Sequence, residues 1–99
     1  MIKHVVMWKI KASNEASKEQ NIQKLKEVLE SMPSKITEIH SLQVGINFNT
    51  KPIACDVVLI TEHQDKNALE RYQIHPEHQK VAEFIAQIKE SGSVVDFEF

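Results

Sequence analysis

Residues 2–10 read Ile2-Lys3-His4-Val5-Val6-Met7-Trp8-Lys9-Ile10. Even-numbered positions put Ile2, His4, Val6, Trp8 and Ile10 on one face of an extended chain. Lys3, Val5, Met7 and Lys9 fall on the other. The middle of the segment is apolar on both sides, through Val6 and Trp8 opposite Val5 and Met7. A strand on the rim of a sheet has no use for two apolar faces, so this one is expected near the centre, covered on both sides.

Outward from that strand the hydrophobic period changes. Ser13 and Asn14 precede a charged stretch and are expected to cap a helix. Ile22, Leu25, Leu29 and Met32 then recur at spacings of three and four, with Val28 beside them, as one stripe of an amphipathic helix that Pro33 ends. Residues 36–48 alternate again, with Ile36, His40, Leu42, Val44, Ile46 and Phe48 on a common face. Asn49-Thr50-Lys51-Pro52 is a turn, and residues 53–62 give a third strand, so the pair reads as a hairpin. Ala68, Leu69 and Tyr72 open a second helical region that His75-Pro76 interrupts. Val81, Phe84, Ile85 and Ile88 continue it, with Pro76 suited to its first turn. Ser91-Gly92-Ser93 is expected to stop it before a last strand, Val94–Phe99.

The order β-α-β-β-α-β is the α+β, ferredoxin-like pattern. Two helical layers cover one face of such a sheet only. The other would leave Val, Leu, Ile and Phe exposed over several strands, more than a soluble monomer leaves bare. A second copy, packed sheet to sheet, is the direct solution. The expectation is a homodimer with aliphatic residues of the first three strands at the contact, Val44 and Ile46 among them.

Composition narrows the rest. The chain has 99 residues, enough for one domain spanning 1–99, and its 41% of hydrophobic residues can form a core. A formal net charge of −2, with lysines interleaved among acids, argues against nucleic acid as a partner. A lone cysteine, Cys55, excludes an internal disulfide. It is expected to be a buried, inert thiol. Neither a leader-like apolar segment nor a run long enough for a membrane span is present, so a cytoplasmic setting without membrane partners is expected.

Three segments resemble a known family. These are the opening Ile2–Lys9, the motif Tyr72-Gln73-Ile74-His75-Pro76-Glu77-His78 followed by Val81-Ala82-Glu83-Phe84, and the ending Val94–Phe99. Leu42–Gly45 and Asp56–Leu59 match the strands between. Together they are similar to the stress-responsive dimeric α/β-barrel family, often called Dabb. The resemblance implies a ferredoxin-like protomer that forms a dimeric α/β barrel. Most members are described only as stress-responsive, but one plant branch holds polyketide cyclases of the olivetolic acid cyclase type. Carried over from these, Tyr72, His78 and His4 are the candidate catalytic residues. The cyclases also use a histidine on the third strand, where this chain has Val57. Likeness to haem-degrading monooxygenases is one of fold alone.

Each candidate has a plain structural alternative. His4 fits a hydrogen-bonded core residue as well as a pocket acid or base. Tyr72 fits a packing residue with a wet hydroxyl, and His78 a first-turn helix residue; in the functional reading His78 is a general base beside Tyr72. His75 and His78 are spaced for a metal, but Pro76 breaks the helix between them and a third ligand is lacking, so neither metal nor cofactor is expected. His40 and His63 look like surface or edge residues. Asp56 and Glu62 look solvated. The leading expectation is a binding or stress-associated homodimer with a modest pocket for an apolar or aromatic ligand and no chemistry of its own. The alternatives are an enzyme acting on a small carbonyl compound, and a structural or partner-docking module.

Overall fold

The computed structural model describes residues 1–99. Its elements run β1 (Ile2–Ile10), α1 (Lys18–Glu30), a 3-10 turn (Met32–Ser34), β2 (Ser41–Ile46), β3 (Val57–His63), α2 (Lys66–Ile74), α3 (Pro76–Ile88) and β4 (Lys89–Glu98). The strands form one sheet in the order β2-β3-β1-β4 with antiparallel pairing throughout. This is the ferredoxin-like α+β fold, with β1 central as its two apolar faces require.

Ile2, His4, Trp8 and Ile10 of β1 are buried, as are Val57, Leu59, Thr61 and His63 of β3. Against this face pack Leu25 and Leu29 of α1, Met32 and Ile36 beyond it, Leu69 and Tyr72 of α2, and Val81, Ile85 and Ile88 of α3. The amphipathic stripes read from the sequence therefore supply the core. Fully burying each such aliphatic side chain contributes about 1.5–3 kcal/mol.

Local hydrogen bonding moves several boundaries. The cap of α1 is Ser17, not Ser13 or Asn14: its hydroxyl accepts from the Gln20 amide while the Gln20 side chain accepts from the Ser17 amide, a reciprocal capping box. Residues 36–40 are not strand. Ile36 turns into the core after the 3-10 turn, and β2 starts only at Ser41. At the far end of the hairpin, Phe48 and Ile53 are 96% and 86% exposed, outside both strands. Asn47 and Asn49 bend the chain there by accepting from the amides of Asn49 and Lys51. Ser91-Gly92-Ser93 does not break the chain but lies inside β4. Gly92 sits opposite Trp8, where a Cβ would come within 3.0 Å of the indole Cδ1. Its glycine marks a close approach within a strand, not a stop.

The register sorts the second sheet face. Val5 pairs with Ile60 and Val95, Met7 with Val58, and Lys3 with Phe97. These residues share the side that no helix covers. Leu42, Val44 and Ile46 pair with Thr61, Leu59 and Val57, so they face the helices. The expectation that Val44 and Ile46 point towards a second copy is corrected: the open face of β2 carries Ser41, Gln43 and Gly45. The strand has one apolar face, and period alone does not say whether that face meets the helices or a second copy; the pairing with Thr61, Leu59 and Val57 does.

Candidate functional site

His4 lies on the helix-covered face of β1, level with Thr61 on β3 and Asp96 on β4. The register brings Asp96 to it directly, and His4 Nδ1 pairs with Asp96 Oδ1. Sequence spacing gave no sign of this partner, which lies 92 residues away.

Tyr72 and His78 come from the helical break. Asp65 caps α2, accepting from the Ala68 amide at 2.8 Å. Tyr72 stands in the last turn of that helix. His75, preceding proline, is extended and ends α2; its Nδ1 then accepts from the Glu77 amide at 3.1 Å and caps α3. The cap role accounts for His75 without any ligand. His78 follows in the first turn of α3. The change of direction at Pro76 brings the Tyr72 and His78 rings together, with centroids 4.6 Å apart and planes at 66°. His4 lies 6.0 Å from Tyr72, edge on. The three candidates, from β1, α2 and α3, thus form one cluster over the centre of the sheet.

A fourth member went unrecognised in the sequence. His63, which the sequence suggests as a surface or edge residue, is fully buried at the end of β3. Its ring is 4.7 Å from Tyr72 and 6.4 Å from His4. Extending the alternation Val57, Leu59, Thr61 by one step would have put it on the covered face. Val57 lies four residues from Thr61, roughly 13 Å along the strand. The polar groups that β3 gives this cluster are therefore Thr61 and His63.

The hydrogen-bond inventory divides the cluster in two. His63 Nδ1 is 2.9 Å from the Glu38 carbonyl, which can only accept, so Nδ1 carries the hydrogen. In the neutral ring Nε2 then accepts from the Thr61 hydroxyl at 2.8 Å. His63 is satisfied at both nitrogens, and His4 is paired with Asp96. By contrast, the Tyr72 hydroxyl and His78 Nδ1 are buried without a partner. Unpaired buried polar atoms are few in folded proteins and each calls for an explanation. Here two occur on rings in contact.

The electrostatics follow from burial. Burial pushes the Tyr72 phenol well above its ordinary range, so at neutral pH it is an O–H donor. His78 is held below the ordinary imidazole value, first by burial and then by the charge of a protonated His4, with the Gln73 carbonyl pulling the other way. Burial likewise lowers His63, partly offset by its bond to Glu38. His78 is half-buried and is the member of the histidine–tyrosine cluster with appreciable contact to solvent. The five principal cavities lie elsewhere. The largest, about 560 Å³, sits between the 13–16 loop, α1 and the end of α3. None of the five is lined by His4, His63, Tyr72 or His78. No group of three or more His, Cys, Asp or Glu side chains is placed to hold a metal ion. Cys55 is half-buried and free.

Residues 2–99 match the Stress responsive A/B Barrel Domain family, Dabb. The chain belongs to this family. Among solved structures, a dimeric ferredoxin-like protein of unknown function from Bacteroides fragilis is 31% identical to this Dabb chain. It superposes with a TM-score of 0.83 over 99% of this chain and 95% of its own. A Dabb family protein from Mesorhizobium loti is 19% identical, with a TM-score of 0.80 over 99% and 95% of the two chains. A hydroxynitrile lyase from Passiflora edulis, 10% identical, has a TM-score of 0.82 over 97% and 90%. The last two likenesses are of fold. No curated protein sequence matches the chain. No helix of this Dabb domain is long and apolar enough to cross a membrane.

Proposed function

We propose that this Dabb domain is a homodimer whose protomers each bind a small, mostly apolar compound through Tyr72 and His78, and act on it by acid–base chemistry at a carbonyl or equivalent group. The observation that carries the reading is the pair of orphaned polar atoms, Tyr72 Oη and His78 Nδ1, on touching rings. A ligand that offers an acceptor to the phenol and an acidic hydrogen to the imidazole would satisfy both.

The chemistry follows from their states. Neutral His78 can take a proton from carbon next to a carbonyl: the C–H bond breaks, the proton goes to Nδ1, and the electron pair moves to the carbonyl oxygen. Tyr72, kept protonated by burial, donates its O–H to that oxygen as charge develops. His4, anchored by Asp96, stands beside Tyr72, and burial of His78 favours its neutral ring. That a hydroxynitrile lyase shares the fold supports an enzyme of small carbonyl-derived compounds, by analogy only.

The homodimer reading rests on the open sheet face, where Val5, Met7, Val58, Ile60, Val95 and Phe97 lie without helix cover. Its support is the dimeric state described for the Bacteroides fragilis relative. A cytoplasmic setting accords with a single unpaired cysteine.

The test is NMR shift mapping with benzaldehyde, 4-hydroxybenzaldehyde and short acyl compounds, on the parent, His78→Ala and Tyr72→Phe. Shifts centred on His4, Tyr72 and His78, weakened in both variants, are expected. If no compound perturbs these residues in the parent, the cluster is packing and the domain acts through its surface.

A further inference from the structure

Tyr72 can serve as a directed donor only if its ring is held at one angle, and its own helix does not guarantee that. It stands in the last turn of α2, two residues before the helix ends. Three imidazoles surround it. His78 lacks a partner at Nδ1 and has only the Gln73 carbonyl acting on its ring. His4 is paired at Nδ1, and its centroid is the farthest, at 6.0 Å. His63 is both close, at 4.7 Å, and bonded at both nitrogens.

We propose that His63 is the positioning residue for Tyr72: pinned between Thr61 and Glu38, its ring sets the plane of the phenol and so the direction of the hydroxyl. The proposal rests on the reading of Tyr72 as the donor of the site.

The surroundings make the pin rigid. Thr61 is a β3 residue fully buried between two paired strands. Glu38 lies in the connection that follows the core residue Ile36, and the next turn of that connection is tied to the sheet by the His40 amide donating to the Glu62 carbonyl at 2.8 Å. Glu38 reaches the tyrosine's helix as well, since its carboxylate lies 3.6 Å from Arg71, the neighbour of Tyr72. Glu38 is thus tied to the His63 ring through its carbonyl and to the helix that carries Tyr72 through its carboxylate. The tilt of 40° between the His63 and Tyr72 planes leaves the phenol a face to lean on, and the two bonds stop that face from turning.

A ring that only filled space would be replaceable by phenylalanine. That is the contrast to measure. His63→Phe keeps a flat ring of similar size and loses both bonds. His63→Asn keeps a donor for the Glu38 carbonyl and loses the ring. Tyr72 is the single tyrosine, so ring-flip rates from its aromatic NMR signals are assigned without ambiguity. The parent is expected to flip slowly, and both variants faster by roughly tenfold or more. Affinity for 4-hydroxybenzaldehyde should fall on a similar scale, because a misaimed group loses its effect steeply. Cooperative unfolding by urea should persist.

A flip rate and probe affinity within about twofold of the parent in His63→Phe would reduce His63 to packing and overturn the proposal; for scale, tenfold in affinity is 1.4 kcal/mol. Should His63→Phe fail to fold, Thr61→Val keeps the His63 ring and removes its Nε2 bond, and unchanged flipping there overturns the proposal equally. Failure of the parent to bind any probe would sink the reading of the site. The flip rates, measured on the free protein, would still judge His63 separately.

Discussion

Replacing Tyr72 by phenylalanine should stabilise the free protein. A buried tyrosine ordinarily loses about 1 kcal/mol on this change, because its hydroxyl gives up a hydrogen bond. Here the hydroxyl has none to lose. Tyr72 is fully buried, and its ring contacts with His4, His63 and His78 would remain in phenylalanine. What is removed is the desolvation penalty of an unsatisfied polar group, about 1–3 kcal/mol. Against it stands the void left by one oxygen, which at roughly 10 Å³ costs only about 0.2 kcal/mol. The balance is a gain of about 1–3 kcal/mol, equivalent to a rise in Tm of several degrees for a domain of this size. Urea unfolding followed by the single tryptophan, Trp8, gives the value directly, with protomer concentration held fixed because a dimer's stability depends on it. The midpoint should rise with no change in slope. A loss of about 1 kcal/mol or more would show that the hydroxyl has a structural partner, and the case for a ligand-facing phenol would fall.

Stability should decline on acidification. His63 and His78 are held below the ordinary imidazole value, so the unfolded chain takes up protons first, starting near pH 6.5, and each group then contributes a slope of at most about 1.4 kcal/mol per pH unit that vanishes above that pH. Denaturation midpoints that stay level from pH 7 down to pH 5 would contradict the burial of these rings. Gly92→Ala puts a Cβ 3.0 Å from the buried Trp8 indole, which has little room to give, so the urea midpoint should fall; an unchanged midpoint would mean that the indole yields by a few tenths of an ångström. Val95→Asp, on the open face, should abolish the dimer in sedimentation at low micromolar concentration, and a dimer that persists would place the interface elsewhere.

The architecture was legible because it rests on period alone. The stripes Ile22–Met32 and Val81–Ile88 and the two-faced strand at Val5–Trp8 needed no knowledge of contacts. What escaped was set by pairing between distant segments. The single apolar face of β2 fits the helices as well as a second copy, and only its pairing with Val57, Leu59 and Thr61 turns Val44 and Ile46 towards the helices. Gly92 reads as a breaker until Trp8 is seen across from it. The Tyr72–His78 motif announced itself through the proline break. Asp96 and His63 did not, because what draws them to the cluster is the register of β4 and β3 on β1.

The composition of the cluster also bears on what it is for. Four polar rings occupy the place where this small core would gain most from hydrocarbon. For stability alone, apolar rings of the same size would serve better at Tyr72 and His78, since a buried polar group without a partner does not recover what it loses on leaving water. The bonded half of the cluster shows what recovery takes. His63 needs a threonine hydroxyl and a main-chain carbonyl, and His4 a carboxylate from the edge strand. Those partners are arranged around groups that do not themselves face an unmet need. Tyr72 and His78, which do, lie between them and solvent contact at α3, in the packing order His63, Tyr72, His78. A fully satisfied layer beneath a half-satisfied one is costly as mere packing. Under the proposed reading, that arrangement serves to present a fixed donor and a neutral base to a ligand.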